Sequence, residues 1–242
     1  MARIEQVDSA AKAHQLAKVL TEVWGDGNAI SVDVIVAVIH SGGYASIAAQ
    51  DGGNNSESIV GGSLALVGKH DDKLHSHVTG VVAGHVNAGI GRALKEHQWH
   101  WAKAHGFATI SWTFDPLVRR NAHFNLLTLG ATVVSYHRDF YGELNDLINA
   151  GDSTDRLVVE RQVAGLGAPP HCQPIQSQDD DEVIETPVDI VAMRQSSDAN
   201  DKVLMRQWRE RQRESFESAF SRGKFVRGFT DDGRYVLGSK VG

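Results

Sequence analysis

Two histidines and one glycine turn are the parts of this 242-residue chain whose types and spacing could do chemistry. His75 and His77 fall in residues 74–83, read as a strand, where alternation puts both imidazoles on one face. An imidazole titrates near neutral pH, so the pair can take a proton from an amine or fill the sheet as hydrogen-bonded partners. A metal reading of the pair lacks an identifiable third ligand, and no metal is assigned. The turn is Val81-Val82-Ala83-Gly84-His85-Val86-Asn87-Ala88-Gly89-Ile90-Gly91-Arg92. A strand enters it and a helix leaves it. Bare backbone at Gly89 and Gly91 can then lie against a ligand while the first helical N–H groups point at it from a positive dipole end. That describes a pyrophosphate cradle, and equally a tight turn. A dinucleotide fingerprint wants a third glycine where Leu94 stands, and a nucleotide P-loop wants Gly-Lys-Ser/Thr, which is not present. Asp115, at the end of a strand over 107–114, can orient an amine or a histidine, or cap the helix that follows.

The elements that position these groups follow from periodicity. A short strand over 4–7 leads to Asp8 or Ser9 as N-cap of a helix, with Ala13, Leu16, Ala17, Leu20, Val23 and Trp24 at helical spacing and Gly25 as its stop. Residues 31–40 fit a buried strand by β-branched content and a helix by the spacing of Val32, Ile35, Val36 and Ile39; the helix fits better with Gly42-Gly43 as terminator. Strands over 44–50 and 57–68 flank the turn residues 51–55. A helix is predicted over 91–105, a strand over 107–114, a helix over 119–129 and strands over 131–137 and 156–163. Residues 165–178 hold three of the five prolines, and 179–189 hold six acids and no base, the pattern of a solvated linker. A helix over 200–222 and strands over 225–229 and 235–237 follow. Arg206, Arg209, Arg211 and Arg213 read as the solvated face of that helix. The expected domains are 1–165 carrying the glycine turn, a linker over 166–190, and a C-terminal helix and strands over 191–242 packing on the core.

Composition narrows the classes. The charge of −6 recruits neither nucleic acid nor an acidic membrane surface, and one cysteine, Cys172, excludes an internal disulfide framework and a cysteine-rich zinc site. Residues 1–5 have no apolar signal region and no 18-residue apolar run exists, so a soluble, cytoplasmic protein is expected. Twenty-four glycines and 12 histidines are the unusual counts.

The order strand, helix, helix, hairpin strands, strand, glycine turn, helix, strand, helix, strand resembles the GNAT family of acyl-CoA-dependent N-acyltransferases. That family carries Gln/Arg-x-x-Gly-x-Gly/Ala in the turn after the fourth strand. Gly89, Gly91 and Arg92-Ala93-Leu94 match it, while Val86 and Ala88 replace residues that are polar or basic there. Leu74-His75-Ser76-His77, Trp112-Thr113-Phe114-Asp115-Pro116-Leu117, Arg120-Asn121-Ala122-His123-Phe124-Asn125, Leu129-Gly130-Ala131, Phe140-Tyr141-Gly142 and Trp208-Arg209 through Phe216-Glu217-Ser218-Ala219-Phe220 look like a little-characterised bacterial group of GNAT-like proteins. The resemblance covers nearly the whole chain except 143–190.

The resemblance implies an α+β fold: a mostly antiparallel twisted central sheet flanked by helices, with a C-terminal strand-helix-strand extension. It implies an acyl-CoA-dependent N-acyltransferase in which a small-molecule amine, such as an amino acid, attacks acetyl-CoA or another acyl-CoA directly. Val81, Val82, Ala88, Gly89, Ile90, Gly91, Arg92, Asn121 and Phe124 would hold the CoA co-substrate, and His77, His75 and Asp115 would serve catalysis. The fourth and fifth strands would splay to admit the acyl-pantetheine, with a backbone N–H near Val81 or Val82 facing the thioester oxygen. Leu126 stands where many members carry a tyrosine acid, and a leucine cannot donate a proton. The alternative is therefore a GNAT-fold protein that binds acyl-CoA or another small ligand without transferring anything. The extension would pack on the core or on a neighbouring subunit of a homodimer.

Overall fold

The structure, a computed structural model, describes residues 2–25, 30–52, 56–70, 72–142, 152–163 and 172–239. The chain forms two compact units, residues 1–112 with 162–168, and residues 113–161 with 169–242. Residues 164–171, the first part of the Pro-rich stretch, and the tip of the 51–55 turn lie outside the described residues.

In the first unit, β1 (Arg3–Gln6), α1 (Ala10–Trp24), α2 (Val32–His40), β2 (Tyr44–Gly52), β3 (Ser56–Val67), β4 (Lys73–Val81) and α3 (Ile90–Ala104) follow in chain order. β5 (Thr109–Phe114) starts in this unit and ends in the second. β1, β2, β3 and β4 pair antiparallel in sequence, and β5 joins β4 in parallel. Ser9 Oγ accepts from the Lys12 N–H, which is the expected cap of α1. The ambiguous segment is helical: Ile35 and Val38 are its buried residues, so its β-branched side chains serve a helix face.

Helices cover both faces of this sheet. Leu16, Val19 and Leu20 of α1 and Ile35 and Val38 of α2 pack with Ala45, Ile47 and Leu64 on one face, where Trp24, Val78 and Val82 join them. Ile90 and Leu94 of α3 pack with Ala48 and Val60 on the other, joined by Ile4 and Val81. Two strand glycines let α1 approach. A Cβ on Gly62 would fall 2.3 Å from Leu16, and one on Gly80 would fall 2.2 Å from the Trp24 ring.

The second unit holds α4 (Arg119–Ala122), which widens into a π-helical turn over His123–Thr128, then β6 (Thr132–His137), antiparallel to β7 (Arg156–Gln162), whose last residue is counted with the first unit. β8 (Glu182–Glu185), α5 (Ile190–Gln195), α6 (Ala199–Ser221), β9 (Phe225–Phe229) and β10 (Arg234–Gly238) complete it. β10 is the centre of a small antiparallel sheet, between β8 and β9. Two sequence expectations are corrected here. The acidic stretch is not all linker, because Glu182–Glu185 is a strand whose Ile184 is buried. Two of its acids are in ion pairs: Glu182 with Arg222 at 2.6 Å and Lys224 at 3.4 Å, and Asp181 with Arg227 at 2.6 Å. Nor is the arginine row of α6 wholly solvated, since Arg209 is buried. Among the described residues no helix is long and apolar enough to cross a membrane.

Candidate active site

β4 and β5 run side by side only briefly. The parallel rungs are Lys73↔Thr109, Leu74↔Ile110 and His75↔Ser111, and among the described residues none follows. β4 continues to Val81 along β3, so its edge opposite β3 opens after His75. The register against β3 slips between Leu64 and Ala65, so that Ser76 and Val78 face consecutive β3 residues and His77 is the extra one. A bulge here turns β4 at the point where its parallel partner leaves.

Ladder alternation fixes which amides face that opening. Val82 N–H donates to Val60 O at 2.9 Å, which commits it to β3. Antiparallel bonds fall on alternate residues, so the Val81 N–H, one residue earlier, points to the opposite edge. Of the two amides singled out by sequence, geometry leaves Val81.

His75 and His77 lie on one face as expected, their ring centroids 6.5 Å apart. His75 Nδ1 is 3.4 Å from Ser111 Oγ across the last rung. His75 is half-buried and His77 is exposed. Desolvation lowers the pKa of both, and for His75 the charges of His77 and Lys95 act in the same direction. Both imidazoles are therefore neutral at neutral pH, the form that accepts a proton.

The turn beyond β4 is built from left-handed backbone. Gly84 (φ +89°), Asn87 (φ +69°) and Gly89 (φ +78°) adopt it, and Gly89 is the N-cap residue of α3. A Cβ on Gly89 would meet nothing within 4 Å, so its α-carbon borders open space. No side chain caps α3 and its first turn carries no acid. Ala88, Gly89 and Arg92 are exposed and Gly91 is half-buried, whereas the Ile90 side chain belongs to the core. Uncapped amides, an exposed arginine and a bare α-carbon fit a diphosphate.

Sequence reasoning missed Lys95. It is 7% exposed on α3, its Nζ donates to Ser76 Oγ at 2.7 Å and lies 4.4 Å from the Trp112 ring centroid. The available signal was its place among Leu94, Gln98, Trp99 and Ala102, all buried. Gln98 joins a polar track, donating to Ser63 Oγ at 3.2 Å, with Thr79 Oγ1 2.8 Å beyond.

Asp115 lies in the second unit, in a buried ion cluster. Arg209 donates to its two oxygens at 3.0 and 2.9 Å, Arg194 donates at 2.5 Å, and the Leu117 N–H donates at 2.9 Å. Asp152 accepts from the same two arginines. Burial alone would raise the Asp115 pKa, but the Arg209 and Arg194 charges outweigh it and hold the carboxyl far below its usual range. Asp115 thus serves two arginines and the Leu117 N–H and does not cap α4, whose N-cap residue is Val118 with no side-chain cap. Asn121 and Phe124, in the same unit, are half-buried on α4 and the π-helical turn, and Leu126 is 5% exposed. Among the described residues no group of three or more His, Cys, Asp or Glu is placed to hold a metal ion.

This architecture is the GNAT acetyltransferase fold. The ribosomal-protein-S18-alanine N-acetyltransferase from Escherichia coli superposes with a TM-score of 0.54 at 15% identity, over 69% of this chain and 97% of that one. A GNAT-family acetyltransferase from Streptococcus pneumoniae gives 0.53 at 14% identity, over 67% and 99%. The phosphinothricin acetyltransferase from Sinorhizobium meliloti, solved in complex with acetyl-CoA, gives 0.50 at 12%, over 66% and 88%. No protein-family profile and no curated protein sequence matches the chain.

Proposed function

We propose that the protein is an acyl-CoA-dependent N-acyltransferase whose acceptor is a small-molecule amine. The carrying observation is the parallel ladder that ends at His75↔Ser111, leaving an open β4 edge that leads to the uncapped N-terminus of α3. The backbone of Ala88, Gly89, Ile90 and Gly91, with Arg92, would hold the diphosphate of CoA. Acyl-CoA supplies an activated thioester. The Val81 N–H is placed to stabilise the oxygen that gains charge as the thioester carbonyl is attacked. His77, exposed and neutral beside the opening, takes the proton that the attacking amine must lose, and His75 lines the same face.

Calorimetry with acetyl-CoA, succinyl-CoA and free CoA tests the reading, and failure of all three to bind ends it. A second reading is favoured by Leu126, which is buried and has no proton to give where a tyrosine acid would stand. It makes the protein a binder that transfers nothing. Binding with no thiol release across a panel of amines selects that reading.

A further inference from the structure

Lys95 occupies a particular place in the split strands. Ser76 follows His75 and Trp112 follows Ser111, so each is the first residue on its strand beyond the last parallel rung. Lys95 Nζ touches both, the Ser76 hydroxyl at 2.7 Å and the Trp112 ring face at 4.4 Å from the centroid. A buried ammonium therefore sits just beyond the last parallel rung. Burying an ammonium is expensive, and a hydroxyl bond and an aromatic face return part of that cost. Adjacent strand residues alternate faces, so Ser76 and Lys95 lie across β4 from His75.

We infer that the Lys95 ammonium stabilises the CoA sulfur as a thiolate when the acyl group leaves. This rests on acyl-CoA occupying the opening, as proposed above. In the transfer, the amine nitrogen forms a bond to the acyl carbon and gives its proton to His77. The carbon–sulfur bond breaks and its electron pair stays on sulfur. A leaving thiolate needs a proton or a nearby cation. Leu126 cannot supply the first, and Lys95 supplies the second.

Several ionisable groups stand on the strands and helix around Lys95. β4 has His75 and His77, β5 contributes Ser111 and Trp112, and β2 presents Tyr44, bonded to His97 at 2.7 Å. On α3 itself Arg92, Glu96 and His97 are the neighbours. Titration of groups remote from the thiol acts alike on CoA and on desulfo-CoA, the analogue without its thiol, and cancels in the ratio of their affinities, while His75 and His77, their pKa values lowered, stay neutral through the upper part of the pH range.

The test is calorimetric titration of the full chain with both ligands from pH 6 to 9. A free thiol has a pKa of about 8.5. If Lys95 lowers the bound value by one unit, the affinity ratio of CoA to desulfo-CoA rises about fivefold between pH 6.5 and 8.5. Thiolate absorbance of bound CoA should titrate at the same lowered pH. Lys95→Met flattens the ratio and Lys95→Arg keeps most of it. A flat ratio in the unmodified protein overturns the inference while leaving CoA binding intact. Absence of binding by either ligand overturns the functional reading itself. If Lys95→Met does not fold, the unmodified protein and Lys95→Arg still decide the matter.

Discussion

Forming an amide from an amine and a thioester produces a proton and a negative charge, and the proposed receivers stand on either face of β4, His77 on the strand itself and Lys95 on α3. In the proposed reaction His77 receives the proton. His77→Ala should lower turnover by about 10²-fold or more, the usual worth of a general base, and leave acetyl-CoA affinity within about twofold. Steady-state kinetics and calorimetry separate the two effects. Because desolvation lowers the imidazole pKa, kcat/KM should fall on the acid side with a midpoint below about 6.5, and that limb should vanish in His77→Ala. An unchanged limb would assign the base elsewhere. The histidine pair was legible because a period of two carries its own geometry. Lys95 was not, since a lysine one turn into a helix reads as solvated until Ser76 and Trp112 are seen around it. Asp115 was singled out for its position at a strand end, but its arginine partners come from residues 194 and 209, and a contact across so much chain leaves no local mark.

Among the elements, the glycine turn and the β4–α1 contact carry the sharpest expectations. Gly89→Ala places a side chain on left-handed backbone facing open space, which should cost about 1–2 kcal/mol in stability and weaken acetyl-CoA binding roughly tenfold. Equal affinity for the variant would remove the turn from the binding site. Gly80→Ala drives a methyl into the Trp24 ring and should lower stability by about 1–3 kcal/mol in denaturant melts. Adding Trp24→Ala should make the two changes non-additive, as expected of residues in contact. The strong periodicities of α1 and α3 and the glycine stops revealed those helices. The segment over 32–40 was ambiguous because β-branched residues at helical spacing satisfy both patterns. The π-helical turn over 123–128 had no signature at all, since one extra residue per turn leaves the apolar spacing nearly unchanged.

Over the whole molecule, carboxylates held by arginines and lysines set the response to acid. Asp115 and Asp155 are buried and depressed, Asp155 by its bonds from Arg213 and Tyr136 against the cost of burial. A depressed carboxyl contributes stability above its unfolded pKa of about 3.9 and loses it as pH falls toward the folded value. The denaturation midpoint should therefore decline steeply below about pH 4. Asp115→Asn leaves two buried arginines short of a counter-charge and should cost about 3–5 kcal/mol at neutral pH, with a shallower decline in acid. Fold class was readable at this scale because the order of elements is a global pattern. No change in composition marks the passage between the two compact units at residues 112 and 113. The small sheet has a bearing on synthesis. Its central strand, β10, is made after both partners, so β8 emerges some fifty residues before the strand that completes its pairing. During that interval Val183 and Ile184 are a bare apolar edge, and Asp179, Asp180, Asp181, Glu182 and Glu185 surround them with like charge. Such flanking charge repels a second nascent copy, so the acidic run guards a waiting strand against aggregation.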